Sequence, residues 1–157
     1  MNFKKYHTGW QYPLDYLSFL YTFTQKHSPS KIVEIGTRYG DTAITMAKTI
    51  PNVTINTYDY IKYEYIEPNI KLNKLENTIN FQQKDYSKWL EDPEDFDLLY
   101  IDIDNNKRKI DQFRQSHFIQ KALTQDKIII FEAARFELTD PSIIFKSKTA
   151  PYKLGRL

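Results

Sequence analysis

Acidic residues recur along this chain where its apolar runs stop. Glu34 stands in "KIVEIG" and is followed by Gly36 and Gly40; Asp59 closes "VTINTYD"; Asp85 follows "TINFQQK"; Asp102 and Asp104 close "FDLLYIDID". A short apolar run that ends in an acid or a glycine reads as a strand and the turn after it. If such strands lie parallel, right-handed crossovers put their ends along one rim. Ligands of open α/β sheets bind at that rim, where the strand order reverses. Acids repeated there are harder to explain by chance than any one acid. An ionised carboxylate accepts hydrogen bonds from ligand hydroxyl or amino groups. Gly36 and Gly40 let backbone approach a ligand, and the helix opening near Asp41 offers N–H groups to an acceptor. The stretch "KIVEIGTRYGDTA" at 31–43 therefore reads either as a floor under a nucleotide-like ligand or as a tight corner.

Other chemistries are disfavoured. The chain has no cysteine, so thiol catalysis, disulfides and cysteine-based zinc sites are excluded. The turn runs Gly36-Thr37-Arg38-Tyr39-Gly40, which lacks the G-x-G-x-x-G spacing of a dinucleotide fingerprint, and no phosphate loop with its Lys-Ser or Lys-Thr follows. Pyrophosphate binding, and with it a Rossmann dehydrogenase, is the weaker enzyme reading. His7, His27 and His117 are scattered without ligand spacing and read as surface or packing residues.

The acids need elements to position them. Pro13 suits the first turn of a helix, "PLDYLSFLYTFTQKH", with Leu14, Leu17, Leu20 and Tyr21 at helical spacing. "SPS" ends it, and "KIVEIG" is the first strand. Asp41 or Thr42 is expected to cap a helix through "TAITMAKTI", with Ala43, Ala47 and Ile50 on one face and Pro51-Asn52 closing it. "VTINTYD" is the second strand. A short helix starts at Pro68, "TINFQQKD" is a polar third strand and "FDLLYIDID" a fourth. "NNKRKIDQFRQSHFIQKAL" reads as one helix with Ile110, Phe113, His117 and Ala122 near one face; "KIIIFEA" is a fifth strand and "PSIIFKSK" a sixth. Strands alternating with helices, the central ones apolar throughout, imply a Rossmann-like doubly wound α/β fold. Its sheet is mainly parallel with helices on both faces, compact or truncated at the C-terminal end.

With 157 residues, 41% of them hydrophobic and 27% charged, the chain suits one globular domain. That domain divides into an N-terminal helical segment at 1–29, a binding core at 30–135 and a short closing segment at 136–157. The 12 Tyr and 10 Phe fit a core with half-exposed tyrosines better than a base-stacking surface. A net charge of +2 argues for no nucleic-acid partner. No run approaches the about 20 apolar residues of a membrane helix, and the first residues carry no apolar signal region. A cytoplasmic protein is expected.

Taken in order, "VEIGTRYGDT", "INTYD", "QQKDYSKWL" and "FDLLYIDID" resemble the class I S-adenosylmethionine-dependent methyltransferases, in particular their short bacterial-type domains, over residues 30–135. The resemblance implies S-adenosylmethionine as cofactor. Asp59, about 20 residues past the turn, would accept both ribose hydroxyls. Gly36 and Gly40 would pass under the methionine part, with Glu34 and Arg38 in the same turn. Asp85 would take the adenine amino group, with Tyr86 or Trp89 against the ring. Asp102 would lie beside the methionine amino group or the methyl, and Asp104 would be the general base. Structural readings stand beside these: Asp59 ending a strand, Asp85 capping a turn, Trp89 in the core, Glu34 holding backbone.

The chain also departs from the pattern. Arg38 stands where many members have a third glycine, Asn105 where a histidine is common, and Glu132-Ala133 where metal-dependent relatives have Asp-Asn. No metal site is therefore expected, although Asp102 and Glu132 could supply oxygen ligands. The methyl acceptor would be a small molecule or a glycan. Its site would be open, built by "YHTGWQY", or completed by another subunit of a homo-oligomer. The departures keep a second reading in view, a methyltransferase-like module that binds cofactor or a partner without turnover.

Overall fold

The computed structural model describes residues 14–103, 107–125 and 127–131. Five strands form one sheet: β1 (Lys31–Ile35), β2 (Thr54–Asp59), β3 (Ile79–Gln83), β4 (Leu98–Ile101) and β5 (Ile128–Phe131). Their order is β3-β2-β1-β4-β5, and every neighbouring pair is parallel. After β3 the chain returns past β1 to its other side, so the order reverses between β1 and β4. The carboxyl ends of those two strands are the topological switch point.

Alternation along the strands sorts the core into two layers. Ile32, Ile55, Leu98 and Tyr100 face one way and pack under α1 (Leu14–His27), α2 (Asp41–Ala47) and α3 (Ile66–Leu72). Val33, Ile35, Leu99 and Ile101 face the other way. They pack under α4 (Tyr86–Glu91), α5 (Lys107–Gln115) and α6 (His117–Leu123). Both faces of β1 and β4 are covered, which is why β4 is apolar throughout and why Glu34, in the middle of β1, is a buried carboxyl. At the edge, Asn80 and Gln82 of β3 are exposed, which explains its polar sequence. Among the described residues no helix is long and apolar enough to cross a membrane.

Several elements differ from the sequence expectation. The cap of α2 is Gly40, in the left-handed region at φ 84°, and not Asp41 or Thr42; both lie inside the helix. Thr42 lies in the first turn, and its hydroxyl donates to the buried Glu34 carboxylate. The same helix stops at Ala47, before Ile50. Thr49 N–H donates to Met46 O at 3.1 Å, and the Thr49 hydroxyl donates to that carbonyl at 2.5 Å, which tightens the chain into a turn. α3 starts at Ile66, so Pro68 sits within its first turn, where a missing N–H is harmless.

The long helix expected after β4 is two helices broken at Ser116, whose ψ of 129° is extended. On one continuous helix Phe113 and Ile119 would lie about 120° apart. The break turns both into the same core, where each is buried. His117 is exposed at the start of α6 and not on the packed face. The expected sixth strand, Pro13 and the segment "YHTGWQY" lie outside the described residues.

At the opposite rim Asp97 latches the sheet. Its Oδ2 accepts from Ser30 N–H at 3.0 Å, the Ser30 hydroxyl at 2.6 Å and Lys31 N–H at 2.9 Å. Partial burial works to raise its pKa. The Ser30 and Lys31 hydrogen bonds and the Lys127 charge outweigh burial and hold it below the ordinary value of 3.8. A depressed acid contributes stability above its unfolded pKa and loses it as pH falls through the folded value. Asp97→Ala should cost about 1–2 kcal/mol, the lower part of the range for charged hydrogen bonds because the carboxylate keeps contact with water. Urea unfolding at pH 7 and pH 3 checks this: the gap between variant and parent should shrink at pH 3. An equal gap at both pH values would show that the charge is irrelevant.

Candidate functional site

The site grows from a backbone contact at the switch point. Gly36 follows β1 with φ 99°, and a Cβ built on it would lie 1.8 Å from the Asp102 carbonyl oxygen. Only a bare residue fits there. Hydrogen bonds hold the approach from both sides: Gly36 N–H donates to Tyr58 O at 2.7 Å, and Asp102 N–H to Ile35 O at 2.8 Å. Gly40 N–H then closes the turn on Thr37 O at 2.8 Å.

Asp59, at the carboxyl end of β2, is tied directly to this turn. One carboxylate oxygen accepts Arg38 N–H at 2.8 Å and the other accepts Ile61 N–H at 3.1 Å. A carboxylate offers about four lone-pair positions, so two backbone donors leave acceptor capacity. The side chain is only 7% exposed. Arg38 takes a left-handed backbone, φ 49°, a conformation that favours glycine, and its guanidinium lies 5.5 Å from the centre of the Tyr39 ring. The Tyr39 ring meets Tyr63 edge-on at 5.2 Å.

Glu34 lies beneath the turn and has no exposed surface. Thr42 and Thr57 hydroxyls donate to its two oxygens. The Thr57 hydroxyl also meets that of Thr37 at 2.5 Å. Burial pushes the Glu34 pKa up to about 8, against the two threonine hydrogen bonds; the nearby charges of Asp59 and Asp41 add to the rise.

Asp85 caps α4: its Oδ1 accepts from Ser87 N–H at 2.9 Å and from the Ser87 hydroxyl at 2.6 Å. Lys84 N–H donates to Asp59 O at 2.8 Å, which ties the β3 end to the β2 end. Tyr86 donates its hydroxyl to Gln112 Oε1 at 2.7 Å and packs on Phe113 with ring centres 5.6 Å apart. Trp89 is fully buried against Phe113 and Phe118, so it is a core residue and not a ring at the site. Gly36, Arg38, Gly40, Asp59 and Asp102 thus cluster around one turn. Glu34 lies under it, and Asp85 and Tyr86 stand on the next loop of the same rim. Asp104, Asn105, Glu132 and Ala133 lie outside the described residues.

The sequence reading missed the hydroxyls. Thr37 sits in the turn, Thr42 reads from sequence only as a possible cap and Thr57 only as a strand position, and nothing in their spacing brings the three together. Asn69 was missed too. It is fully buried in α3, and its side-chain amide donates to Tyr39 O at 3.0 Å, pinning the turn from outside.

The two glycines should respond differently to alanine. Gly36→Ala forces a side chain onto a backbone carbonyl from a left-handed conformation and should cost about 3–5 kcal/mol or prevent folding. Gly40→Ala has left-handed strain alone, since its nearest neighbour would be Ile44 Cδ1 at 3.7 Å; about 1–2 kcal/mol is expected. Chemical denaturation of both variants decides; equal losses would mean that the Asp102 contact yields.

No family model matches the sequence, and no curated protein matches it. Solved structures do match. An O-methyltransferase of tomaymycin synthesis from Streptomyces achromogenes, crystallised with S-adenosylmethionine, superposes with TM-score 0.65 at 16% identity, covering 77% of this chain and 56% of that one. An O-methyltransferase from Bacillus cereus in complex with S-adenosylhomocysteine gives TM-score 0.62 at 20% identity, covering 77% and 57%. A methyltransferase from Podospora anserina bound to S-adenosylhomocysteine gives 0.66 at 16%, covering 78% and 53%. The matched region is therefore little more than half of each of these structures. At the level of architecture, this chain has the Rossmann-like fold of the S-adenosylmethionine-dependent methyltransferases.

Proposed function

We propose that the chain is an S-adenosylmethionine-dependent methyltransferase acting on a small-molecule or glycan acceptor. The observation that carries the reading is Asp59. An acid at the end of β2, anchored by Arg38 N–H to the turn at the switch point, retains acceptor capacity for a pair of hydroxyls. The bare backbone of Gly36 and Gly40 beside it fits the cofactor's narrow aliphatic part.

In this reading Asp59 accepts the ribose hydroxyls and Asp85 the adenine amino group. Tyr86, braced by Gln112 and Phe113, lies against the ring, and Asp102 faces the methionine amino group. Glu34 and Arg38 shape the turn from below and within. When bound, the cofactor supplies an electrophilic methyl group on a sulfonium. The protein's part is to hold an acceptor nucleophile in line with it, and positioning of that kind can supply several kcal/mol. Asp104 is the proposed base for an oxygen nucleophile. A cytoplasmic location goes with the reading.

Two outcomes are expected. Asp59→Ala should weaken S-adenosylhomocysteine binding about ten- to a hundredfold in calorimetry, the loss of a charged hydrogen-bond partner, with the melting curve still cooperative. Unchanged affinity would reduce Asp59 to a strand terminator. Second, turnover on a panel of hydroxylated small molecules and sugars should persist in EDTA, because Ala133 brings no side-chain oxygen where metal-dependent relatives have one. Activity lost in EDTA and restored by magnesium would promote Asp102 and Glu132 to metal ligands.

A further inference from the structure

Glu34 carries a carboxyl group sealed under the turn, without exposed surface. In the sheet its register partners are Thr57 on β2 and Tyr100 on β4, so these side chains share one face. Thr42 reaches it from α2. Thr37, within the turn itself, reaches it through Thr57.

Counting protons gives this cluster a direction. A threonine hydroxyl has one hydrogen to donate. With Glu34 ionised, the three hydroxyls are all placed: Thr42 and Thr57 donate to the carboxylate, so the 2.5 Å contact between Thr37 and Thr57 must have Thr37 as donor. With Glu34 protonated the cluster holds one hydrogen more, and the carboxyl must itself donate. The carboxyl can donate to Thr42 or to Thr57; if it donates to Thr57, the Thr57 hydrogen turns to Thr37, and the Thr37 hydrogen, on a residue only 2% exposed, must turn to another acceptor along the turn. Thr37 stands between Gly36 and Arg38, and its carbonyl accepts the Gly40 N–H that closes the turn.

We propose that Glu34 is a positioning residue that acts on the turn through the Thr57–Thr37 hydroxyl pair: a proton gained at Glu34 reverses both hydroxyls and presents the Thr37 donor to the ligand side of the turn. The last step, toward a ligand, rests on the methyltransferase reading; the reversal does not. Among the described residues, the other titratable groups facing Glu34 are Asp59 on β2, Asp41 on α2 and Tyr100 on β4. The two aspartates favour the proton on Glu34. Burial, the largest influence, brings its titration to about pH 8, within reach of ordinary buffers.

The test is carbon and nitrogen NMR of the labelled protein between pH 6 and pH 9.5. The Glu34 carboxyl carbon reports its own proton, and the Thr37 side-chain and Arg38 amide signals report the turn. In the parent protein Thr37 should follow the Glu34 midpoint. Thr42→Val removes a donor from Glu34 but leaves the pair intact, so Thr37 should still follow. Thr57→Val cuts the pair, and Thr37 should stop following although Glu34 still titrates; Thr57→Ser should restore the link. A parent protein in which Thr37 ignores Glu34 overturns the proposal even if Thr57→Val does not fold. So does a Thr57→Val protein in which Thr37 still follows.

A second arm uses S-adenosylhomocysteine, which keeps the methionine-derived part that the turn would face, with homocysteine alone titrated as the control for its own amino group. The affinity of S-adenosylhomocysteine should be about fivefold tighter below the Glu34 midpoint than above it, the worth of one neutral hydrogen bond, and Thr37→Val should flatten the profile. A flat profile in the parent protein overturns the ligand step. S-adenosylhomocysteine that binds at no pH sinks the methyltransferase reading, and the relay then stands or falls on the NMR titration.

Discussion

The approach of Gly36 to the Asp102 carbonyl sets the geometry of everything around it. β1 and β4 are neighbours in register, with Ile35 opposite Ile101. Their ends must diverge at the switch point, and the backbone leaving β1 passes over the backbone leaving β4 with no room for a side chain. From that crossing the turn runs through a left-handed Arg38 to a left-handed Gly40 before entering α2. Two of these three positions are glycine, and the third is not. The conformational strain at Arg38, about 1 kcal/mol, is offset by its N–H bond to Asp59 and by the guanidinium on Tyr39.

Polar contacts around the turn are arranged so that few buried groups lack a partner. Glu34 is an extreme case, a carboxyl without solvent that is served by two threonine hydroxyls. An isolated buried charge is strongly disfavoured, and such a group neutralises instead. The raised pKa of Glu34 follows from that rule. On the opposite sheet face Glu94 shows the other outcome. Burial works to raise its pKa, but donors on Tyr58, Asn56 and Lys31 outweigh it and hold it low. The difference is burial first: Glu34 has no exposed surface, whereas Glu94 keeps contact with water and has a third donor, Lys31 at 3.0 Å, beside Tyr58 and Asn56.

The aromatic content divides between two tasks. Trp89, Phe96, Phe113, Phe118 and Phe131 interlock on one sheet face, several edge-to-face, and close the core beneath α4, α5 and α6. Of the tyrosines near the rim, Tyr39, Tyr63 and Tyr86 are half-buried. Tyr39 and Tyr63 pack beside Asp59, Tyr86 spans to Gln112, and Tyr60 stands 58% exposed directly after Asp59. A tyrosine suits that position because its ring packs while its hydroxyl remains wet.

Local pattern alone determined the parallel sheet, its strands and the rim of acids. Apolar runs and glycines are properties of adjacent residues, and adjacent residues are what a sequence displays. Glu34, Gly36, Asp59, Asp85 and Asp102 were legible for that reason. Tertiary structure decided what lies across the chain. It made Gly40 the cap of α2 and joined Thr42 to Glu34, 8 positions away. It split the helix after β4, since Phe113 and Ile119 reach one core only if the axis turns at Ser116. It made Trp89 a core residue. It also joined Thr37 to Thr57 and Asn69 to Tyr39, pairs 20 and 30 positions apart. A buried threonine and an exposed one look alike in sequence, because what distinguishes them is the partner that the fold brings within hydrogen-bonding distance.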